Sequence, residues 1–181
     1  NKAEKCVFCY PRLENGRPQI CAETCTGRIR FSGVVLYDMD RVAEMAETKD
    51  DKSIYDNMLE LILDPRDPEV IKAAKEEGIS QAWLAAAQNS PIYKLVKEWK
   101  VALPLHPEYR TLPMVWYVPP MSPIVQRVSS QVYLAKADEM RVPLTYLASL
   151  FSAGNTEVVG DILQKLLDMR MYMKMRTQND G

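Results

Sequence analysis

The sequence predicts an α+β chain: a short cysteine-rich segment with one strand, then a mainly helical region interrupted by one extended strip. The run at residues 29–37 is rich in β-branched and aromatic side chains, which favour a strand. From residue 38 onward, apolar residues recur at helical spacing. Residues 103–123 hold six of the twelve prolines, which remove backbone donors and prevent a persistent helix.

The first segment, residues 1–37, is rich in loop-forming residues and contains four cysteines, three glycines and two prolines. Gly33 lies inside its strand-like run, which predicts a strand with an irregularity at that position. We expect residues 1–37 to belong to one domain and residues 38–181 to form a second, mainly helical region.

Capping residues and apolar spacing predict five helices between residues 38 and 99. Asp67 and Pro68 supply a cap and a first-turn proline, and Gly78 ends that helix. The expected helices are one with Val42, Met45 and Ala46 capped by Asp38 or Asp40, one with Ile54, Met58, Leu61 and Ile62, one from Asp67 to Gly78, one from Ser80 through Trp83 to Ala87, and one opened by Ser90 and Pro91 with Ile92, Leu95, Val96 and Trp99.

The proline-rich strip at residues 103–123 is strongly apolar and aromatic. We expect it to lie extended against other protein, with residues 114–118 as a short strand. Helical signals resume near Ala137. Pro143 marks the first turn of a helix that ends at Gly154, and Thr156 with Glu157 caps the final helix.

Composition excludes several classes of protein. The formal net charge is −1, so there is no overall basic field for nucleic acid. No run of eighteen apolar residues is present, so no direct membrane span is expected. The chain starts without Met and stops without a terminal motif, and we expect it to be a fragment of a longer protein.

The four cysteines carry the candidate chemistry. They all lie within the first 25 residues, so disulfide bonds between them could not cross-link the rest of the chain, as they do in a disulfide-rich scaffold. Cys6 and Cys9 form a C-x2-C pair, and Cys21 and Cys25 form a C-x3-C pair after an eleven-residue connection. Thiolates are ligands for soft metals, and two close pairs separated by a turn can converge on a metal centre.

The spacing leaves two kinds of metal site open. One is a structural zinc site with four cysteine ligands. The other is iron–sulfur: Cys6, Cys9 and Cys21 would ligate one 4Fe-4S cluster and Cys25 a neighbouring one, since the last cysteine of such runs ligates the second cluster in two-cluster ferredoxins. Thr26 stands where bacterial ferredoxins usually have proline.

Basic residues crowd the cysteine segment, and an anionic thiolate cluster would favour such surroundings. A solvated basic face is the alternative interpretation. The basic residues are Lys2, Lys5, Arg12, Arg17, Arg28 and Arg30.

Other candidate sites have structural explanations. His106 is the only histidine, so no site that needs two histidines can form, and we expect it to be hydrogen-bonded in the fold; Glu108 and Arg110 could pair. The alternating Met169, Met171, Met173 and Met175 could bind soft copper, but a core or subunit-facing surface is the expected role.

Several segments resemble the iron–sulfur (beta) subunit of membrane-bound respiratory nitrate reductase and its relative in nitrite oxidoreductase. The cysteine motifs CVFCYPR and CAETCTGRIR carry part of the resemblance, and ALPLHPEYRTLPMVWYVPP is its most specific part. The matching segments are residues 6–12, 21–30, 63–68, 90–94, 102–120 and, more loosely, 142–147.

The resemblance implies that residues 1–37 are the end of a ferredoxin-like 4Fe-4S domain. It also implies that the full-length subunit holds three 4Fe-4S clusters and one 3Fe-4S cluster, the last of these outside this fragment. Cys6, Cys9 and Cys21 would be three ligands of one cluster and Cys25 a ligand of its neighbour, with the remaining ligands upstream.

The function that the resemblance implies is electron relay, without substrate chemistry in this subunit. Electrons would pass between a membrane haem b subunit that oxidises quinol and a molybdopterin catalytic subunit that reduces nitrate. The alternatives are the same relay in reverse, in nitrite oxidation, and a zinc-stabilised domain without redox function. The protein would be peripheral to the cell membrane, on its cytoplasmic side or alternatively on its outer side, and the apolar strip would contact the catalytic subunit.

Overall fold

The computed structural model describes residues 6–15, 17–120 and 142–179, which form an α+β arrangement of helices around a two-stranded sheet. Short 3-10 turns cover Asp51–Ser53 and Pro107–Tyr109, and a π-helical turn covers Lys94–Glu98. The helices and strands are α1 (Tyr10–Leu13), α2 (Ile20–Glu23), β1 (Arg30–Ser32), α3 (Val42–Ala46), α4 (Ile54–Glu60), α5 (Pro68–Glu76), α6 (Gln81–Asn89), α7 (Pro91–Tyr93), β2 (Val115–Tyr117), α8 (Leu144–Phe151) and α9 (Thr156–Asn179).

The helices that begin at strong local signals lie where the sequence predicts them. The Asp67 carboxylate accepts the Glu69 N–H at 2.8 Å at the start of α5, and Gly78 follows that helix with φ +79°. The Ser80 hydroxyl accepts the Trp83 N–H at 3.3 Å, and the Ser90 hydroxyl accepts the Ile92 N–H at 3.3 Å. These caps satisfy backbone donors that the first helical turn leaves free.

Two predicted caps are wrong. Arg41, not Asp38 or Asp40, precedes α3 and gives no side-chain cap; the Asp38 carboxylate instead accepts the Asp40 N–H at 3.2 Å in a local turn. At α9 the capping oxygen comes from Asn155, which accepts the Val158 N–H at 3.3 Å. The expected helical signal near Ala137 lies outside the described residues.

The sheet joins the cysteine segment to the proline-rich strip. β1 and β2 pair antiparallel, with Phe31 opposite Trp116. Tyr117 of β2 also exchanges two backbone hydrogen bonds of 2.8 Å with Leu103, so the strip doubles back on itself. β1 is shorter than the predicted strand. After it the Gly33 N–H still donates to the Met114 carbonyl at 3.2 Å, and a further bridge joins Tyr37 to Ile62.

The strip is extended, as predicted, but its central aromatic residue faces this chain's own core. Trp116 has no exposed surface, and its indole N–H donates to the Pro113 carbonyl at 3.1 Å. The Tyr37 hydroxyl donates to the same carbonyl at 2.6 Å. Replacement of Trp116 would therefore disrupt packing inside the chain. In the described part of the strip, residues 103–120, Leu105 and Tyr109 are the large apolar residues that stay exposed.

The buried core lies between β2, the middle helices and the pair α8–α9. Core residues come from widely separated parts of the chain: Ile54, Tyr55, Met58, Ile62, Ile92, Leu95, Val96, Val101, Ala102, Leu103, Trp116, Leu147, Ala148, Phe151, Val159, Ile162, Leu163 and Leu166. No helix within the described ranges is long and apolar enough to cross a membrane. The ferredoxin-like character of residues 1–37 and the boundary at residue 37 stay predictions.

Gly33→Ala is expected to destabilise the fold by about 1–3 kcal/mol, because a side chain at this position overpacks a closed site. A Cβ on Gly33 would collide with the Ser90 hydroxyl and lie 3.1 Å from Ser90 Cβ and 3.3 Å from Ile92 Cγ1. The Ser90 hydroxyl cannot move freely since it caps α7. Urea unfolding followed by the fluorescence of buried Trp116 measures the change.

Gly160→Ala is the matched control. Gly160 lies inside α9, and its added Cβ would sit 3.8 Å from Leu144 Cδ2, an ordinary contact. This variant should gain about 0.5–1 kcal/mol from helix propensity. Equal effects of the two substitutions would contradict the close packing at Gly33.

Tyr37→Phe is expected to lower stability at neutral pH by about 0.5–1.5 kcal/mol through loss of the hydrogen bond to Pro113. Burial raises the pKa of Tyr37, against a smaller lowering by its hydrogen bond with Trp116. Its contribution is therefore complete below the unfolded pKa of about 10 and is lost as pH rises through the higher folded pKa. Between pH 8 and pH 11, the urea concentration at the unfolding midpoint should fall less steeply in this variant than in the unmodified protein. Identical slopes of midpoint against pH in the two proteins would contradict a buried phenol.

Candidate metal centre

The four cysteines lie in or next to two short helices, and the two segments are called the cysteine turns. Cys6 and Cys9 precede α1, Cys21 lies in α2, and Cys25 follows it. All four thiols are free, and those of Cys6 and Cys21 are exposed. Cys9 has a left-handed backbone with φ 53° and ψ 41°, and its carbonyl accepts the Arg12 N–H at 2.8 Å. The C-x2-C pair is therefore placed by a tight turn that opens α1.

Arg12 ties the two cysteine turns together. Its Nε donates to the Pro18 carbonyl at 2.9 Å, and its guanidinium forms an ion pair with Glu23 of α2. The predicted role of Arg12 was only to add positive charge around the cysteines. Here its charge is matched by Glu23, so its contribution is to fix α1 against the loop before α2.

A second link attaches α2 to the sheet. Gln19, which precedes α2, is buried, and its side-chain oxygen accepts the Ser32 hydroxyl at 2.6 Å. A buried polar side chain needs such a partner. Neither this pair nor the pair of Arg12 with Glu23 follows from residue spacing, because in each case the partners are joined by tertiary folding rather than by a local turn.

The backbone after Cys25 turns back on this residue, and the Arg28 N–H donates to the Cys25 carbonyl at 2.9 Å. Hydrogen bonding from the Ile29 N–H is the largest influence on the pKa of Cys25, which is lowered; burial acts against it, and the N–H groups of Arg30, Gly27 and Arg28 add to the lowering. The left-handed backbone of Arg28, with φ 48°, turns the chain to bring these donors together. Such a concavity of amides stabilises a thiolate, and iron–sulfur sites use this device.

Cys21 has a cation beside it. A hydrogen bond with the Cys21 side chain is the main reason that the pKa of Arg30 is raised. Arg30 also donates to the Cys21 carbonyl at 3.4 Å. The Phe8 N–H donates to the Cys6 sulfur at 3.4 Å, which adds a backbone donor at the first pair.

Within the described parts of the chain, no group of three or more cysteine, histidine, aspartate or glutamate side chains is gathered as one metal ion requires. Four thiolates bound to one zinc would lie roughly 3.8 Å apart, given zinc–sulfur bonds of about 2.3 Å. A cubane spreads its ligand sulfurs around a larger body. Amides at Cys25, a cation at Cys21 and free paired thiols fit the donor chemistry of iron–sulfur clusters.

The remaining candidates form no second centre. The His106 ring nitrogen Nδ1 lies 2.7 Å from Glu108 Oε1, which agrees with the expected hydrogen-bonded role. Arg110 contacts Glu108 through the Glu108 backbone carbonyl, to which its Nη1 donates at 3.3 Å, and not through the carboxylate. Its ion pair is with the Asp51 carboxylate at 3.2 Å, and it also donates to the Thr48 carbonyl at 2.9 Å. The methionines of α9 do not enter this chain's core: Met169, Met173 and Met175 are exposed.

Comparison with known proteins agrees with this picture. Residues 121–181 match the family model described as respiratory nitrate reductase beta C-terminal. The nitrate reductase beta chain of Bacillus subtilis (strain 168) is 54% identical over 181 residues, which cover 96% of this chain and 37% of that protein. The respiratory nitrate reductase 2 beta chain of Escherichia coli (strain K12) is 50% identical over 97% of this chain and 35% of its own length.

A more distant relative is the dimethylsulfide dehydrogenase subunit beta of Rhodovulum sulfidophilum, 35% identical over 83% of this chain and 30% of that protein.

The fold and the thiols define an α+β chain that carries paired cysteines free for a metal centre. The chain belongs to the family of nitrate reductase beta chains. It spans 35–37% of the length of these two nitrate reductase beta chains.

Arg12→Lys is expected to weaken metal retention at the cysteine turns by about tenfold, as other losses of outer-shell support do. Lysine keeps the charge but cannot contact Pro18 and Glu23 together as the guanidinium fork does. Metal release to a chelator from the purified full-length protein gives the measurement. Arg17→Lys is the control, because the Arg17 side chain is exposed in the same connection; a similar release rate for both variants would contradict the role of Arg12.

Proposed function

We propose that this chain belongs to an electron-relay subunit of a nitrate reductase complex and supplies ligands to two 4Fe-4S clusters. Cys6, Cys9 and Cys21 ligate one cluster, and Cys25 ligates its neighbour. The observation that carries the proposal is the arrangement of the paired thiols: all four are free, and Arg30 donates to the Cys21 carbonyl at 3.4 Å.

The residues of this chain bind and orient rather than react. A 4Fe-4S cluster, when bound, supplies one-electron transfer. Arg12 holds the two cysteine turns at a fixed separation, and the pair of Gln19 with Ser32 fixes them to the sheet. Residues 1–37 form the end of a ferredoxin-like domain, and residues 38–181 form the helical region that supports it. The 3Fe-4S cluster of the full-length subunit lies outside this chain.

The partners follow from the relay. Electrons pass between a membrane haem b subunit and a molybdopterin catalytic subunit, and the complex is attached to the cytoplasmic side of the membrane through its haem subunit. Sequence kinship supports placing the substrate chemistry elsewhere: a relative named for dimethylsulfide dehydrogenase shares 35% identity with this chain although its named substrate is not nitrate. A relay subunit can serve different catalytic partners, since electrons carry no substrate identity.

Metal analysis tests the relay directly. Full-length protein that contains this chain, purified anaerobically, should contain iron and acid-labile sulfide, and dithionite reduction should produce low-temperature EPR signals of reduced clusters. Zinc in stoichiometric amount without sulfide would overturn the proposal in favour of a structural domain.

Cys21→Ser and Cys25→Ser are expected to perturb different clusters. Each replaces a soft thiolate by a poor ligand for iron, so each should remove or shift one EPR signal of the full-length complex and leave the other signals in place. Loss of the same signal in both variants would show that the two cysteines share one cluster and would refute the assignment of Cys25.

A further inference from the structure

Arg30 is the residue at which the cysteine turns, the sheet and the proline-rich strip meet. It lies in β1 directly opposite Tyr117 of β2. Its guanidinium carbon sits 5.4 Å from the centre of the Tyr117 ring, within the range of a cation–π contact. Its Nη1 donates to the Cys21 carbonyl at 3.4 Å, which places the guanidinium beside the second cysteine pair.

The charge of Arg30 has no carboxylate beside it in the part of the chain that the structure describes. Arg12, Arg41, Arg66 and Arg110 each form an ion pair with an acidic side chain, and Arg30 forms none. Its Nε is buried and has no hydrogen-bond partner. A buried guanidinium N–H without an acceptor is unfavourable, so such a group calls for an explanation in function.

We propose that Arg30 is a positioning residue that sets the reduction potential of the cluster ligated by Cys21, and that the Tyr117 ring holds its guanidinium in place. The inference rests on the proposed function. It goes further by giving the strip a role in the relay: through Tyr117, the strip controls where a positive charge sits relative to a ligand sulfur.

The direction of the effect follows from charge. A cluster bound by thiolates is anionic, and it becomes more negative when it accepts one electron from a neighbouring iron–sulfur cluster. It then passes that electron on to the next redox centre, and no bond forms or breaks. A fixed cation beside a ligand sulfur stabilises the reduced state more than the oxidised state. Arg30 therefore raises the potential, and no proton has to accompany the electron because the guanidinium keeps its charge.

The test is potentiometric EPR on the full-length protein in complex with its partner subunits. Arg30→Gln removes the charge and keeps a polar side chain. At a fixed ambient potential, the ratio of reduced to oxidised cluster should fall by about tenfold, which corresponds to 59 mV for a one-electron couple. Arg30→Lys, which retains the charge, should recover part of the shift.

Arg17→Gln is the matched control, because it removes the same charge from an exposed position in the connection between the two cysteine pairs. Solvent screens an exposed charge, so this variant should leave the ratio nearly unchanged. An equal fall of the ratio in Arg17→Gln and Arg30→Gln would overturn the proposal. An unshifted potential in Arg30→Gln protein that holds iron and sulfide at the normal level would also overturn it.

Two substitutions at Tyr117 keep the proposal testable if Arg30→Gln loses its cluster. Tyr117→Leu removes the ring that holds the guanidinium and should lower the potential in the same direction, whereas Tyr117→Phe keeps the ring and should not. Unshifted potential in Tyr117→Leu would refute the role of the strip. Absence of iron and sulfide from the unmodified protein is a different result, which would refute the proposed function itself.

Discussion

The ladder between β1 and β2 is the connection on which the placement of the cysteines depends. The described residues of the cysteine turns, 6–15 and 17–25, contribute nothing to the buried core, so packing alone does not hold them. They are fixed instead by backbone pairing of Arg30–Ser32 with Val115–Tyr117 and by the hydrogen bond of Ser32 with Gln19. A three-residue strand pair is marginal by itself, and it persists because β2 is anchored on its other side by Leu103 and by the burial of Trp116.

The Pro113 carbonyl is the second organising group. It accepts hydrogen bonds from both the Tyr37 hydroxyl and the Trp116 indole. Because Pro113 belongs to the proline-rich strip and Tyr37 ends the cysteine segment, this carbonyl links the two. Proline restricts the backbone of this strip before folding, which reduces the entropy lost when it becomes ordered. An apolar, proline-rich sequence can therefore act as a central layer of a fold rather than as a surface loop.

Local signals were sufficient for part of the structure. The pattern Asp67-Pro68 with Gly78 predicted α5 because the cap, the first-turn proline and the terminating glycine act within the helix itself. The extended character of the strip followed from its prolines in the same way. By contrast, Arg12 with Glu23 and Ser32 with Gln19 depend on how the chain folds back, and Asp38 turned out to serve a local turn instead of a helix. Cysteine spacing identified the candidate ligands, while the donors around Cys25 come from backbone geometry that spacing does not encode.

The separation of the cysteines from the core also bears on how such a protein is matured. A zinc finger folds only when its metal binds, because its ligands hold its core together. Here the described core is built from apolar side chains that all lie outside the cysteine turns. The described core therefore does not need a metal to hold its side chains together, and Cys6 and Cys21 lie exposed beside it. Exposed thiols without a metal are open to oxidation, so under the proposed function the time between folding and metal insertion determines how many sites are damaged.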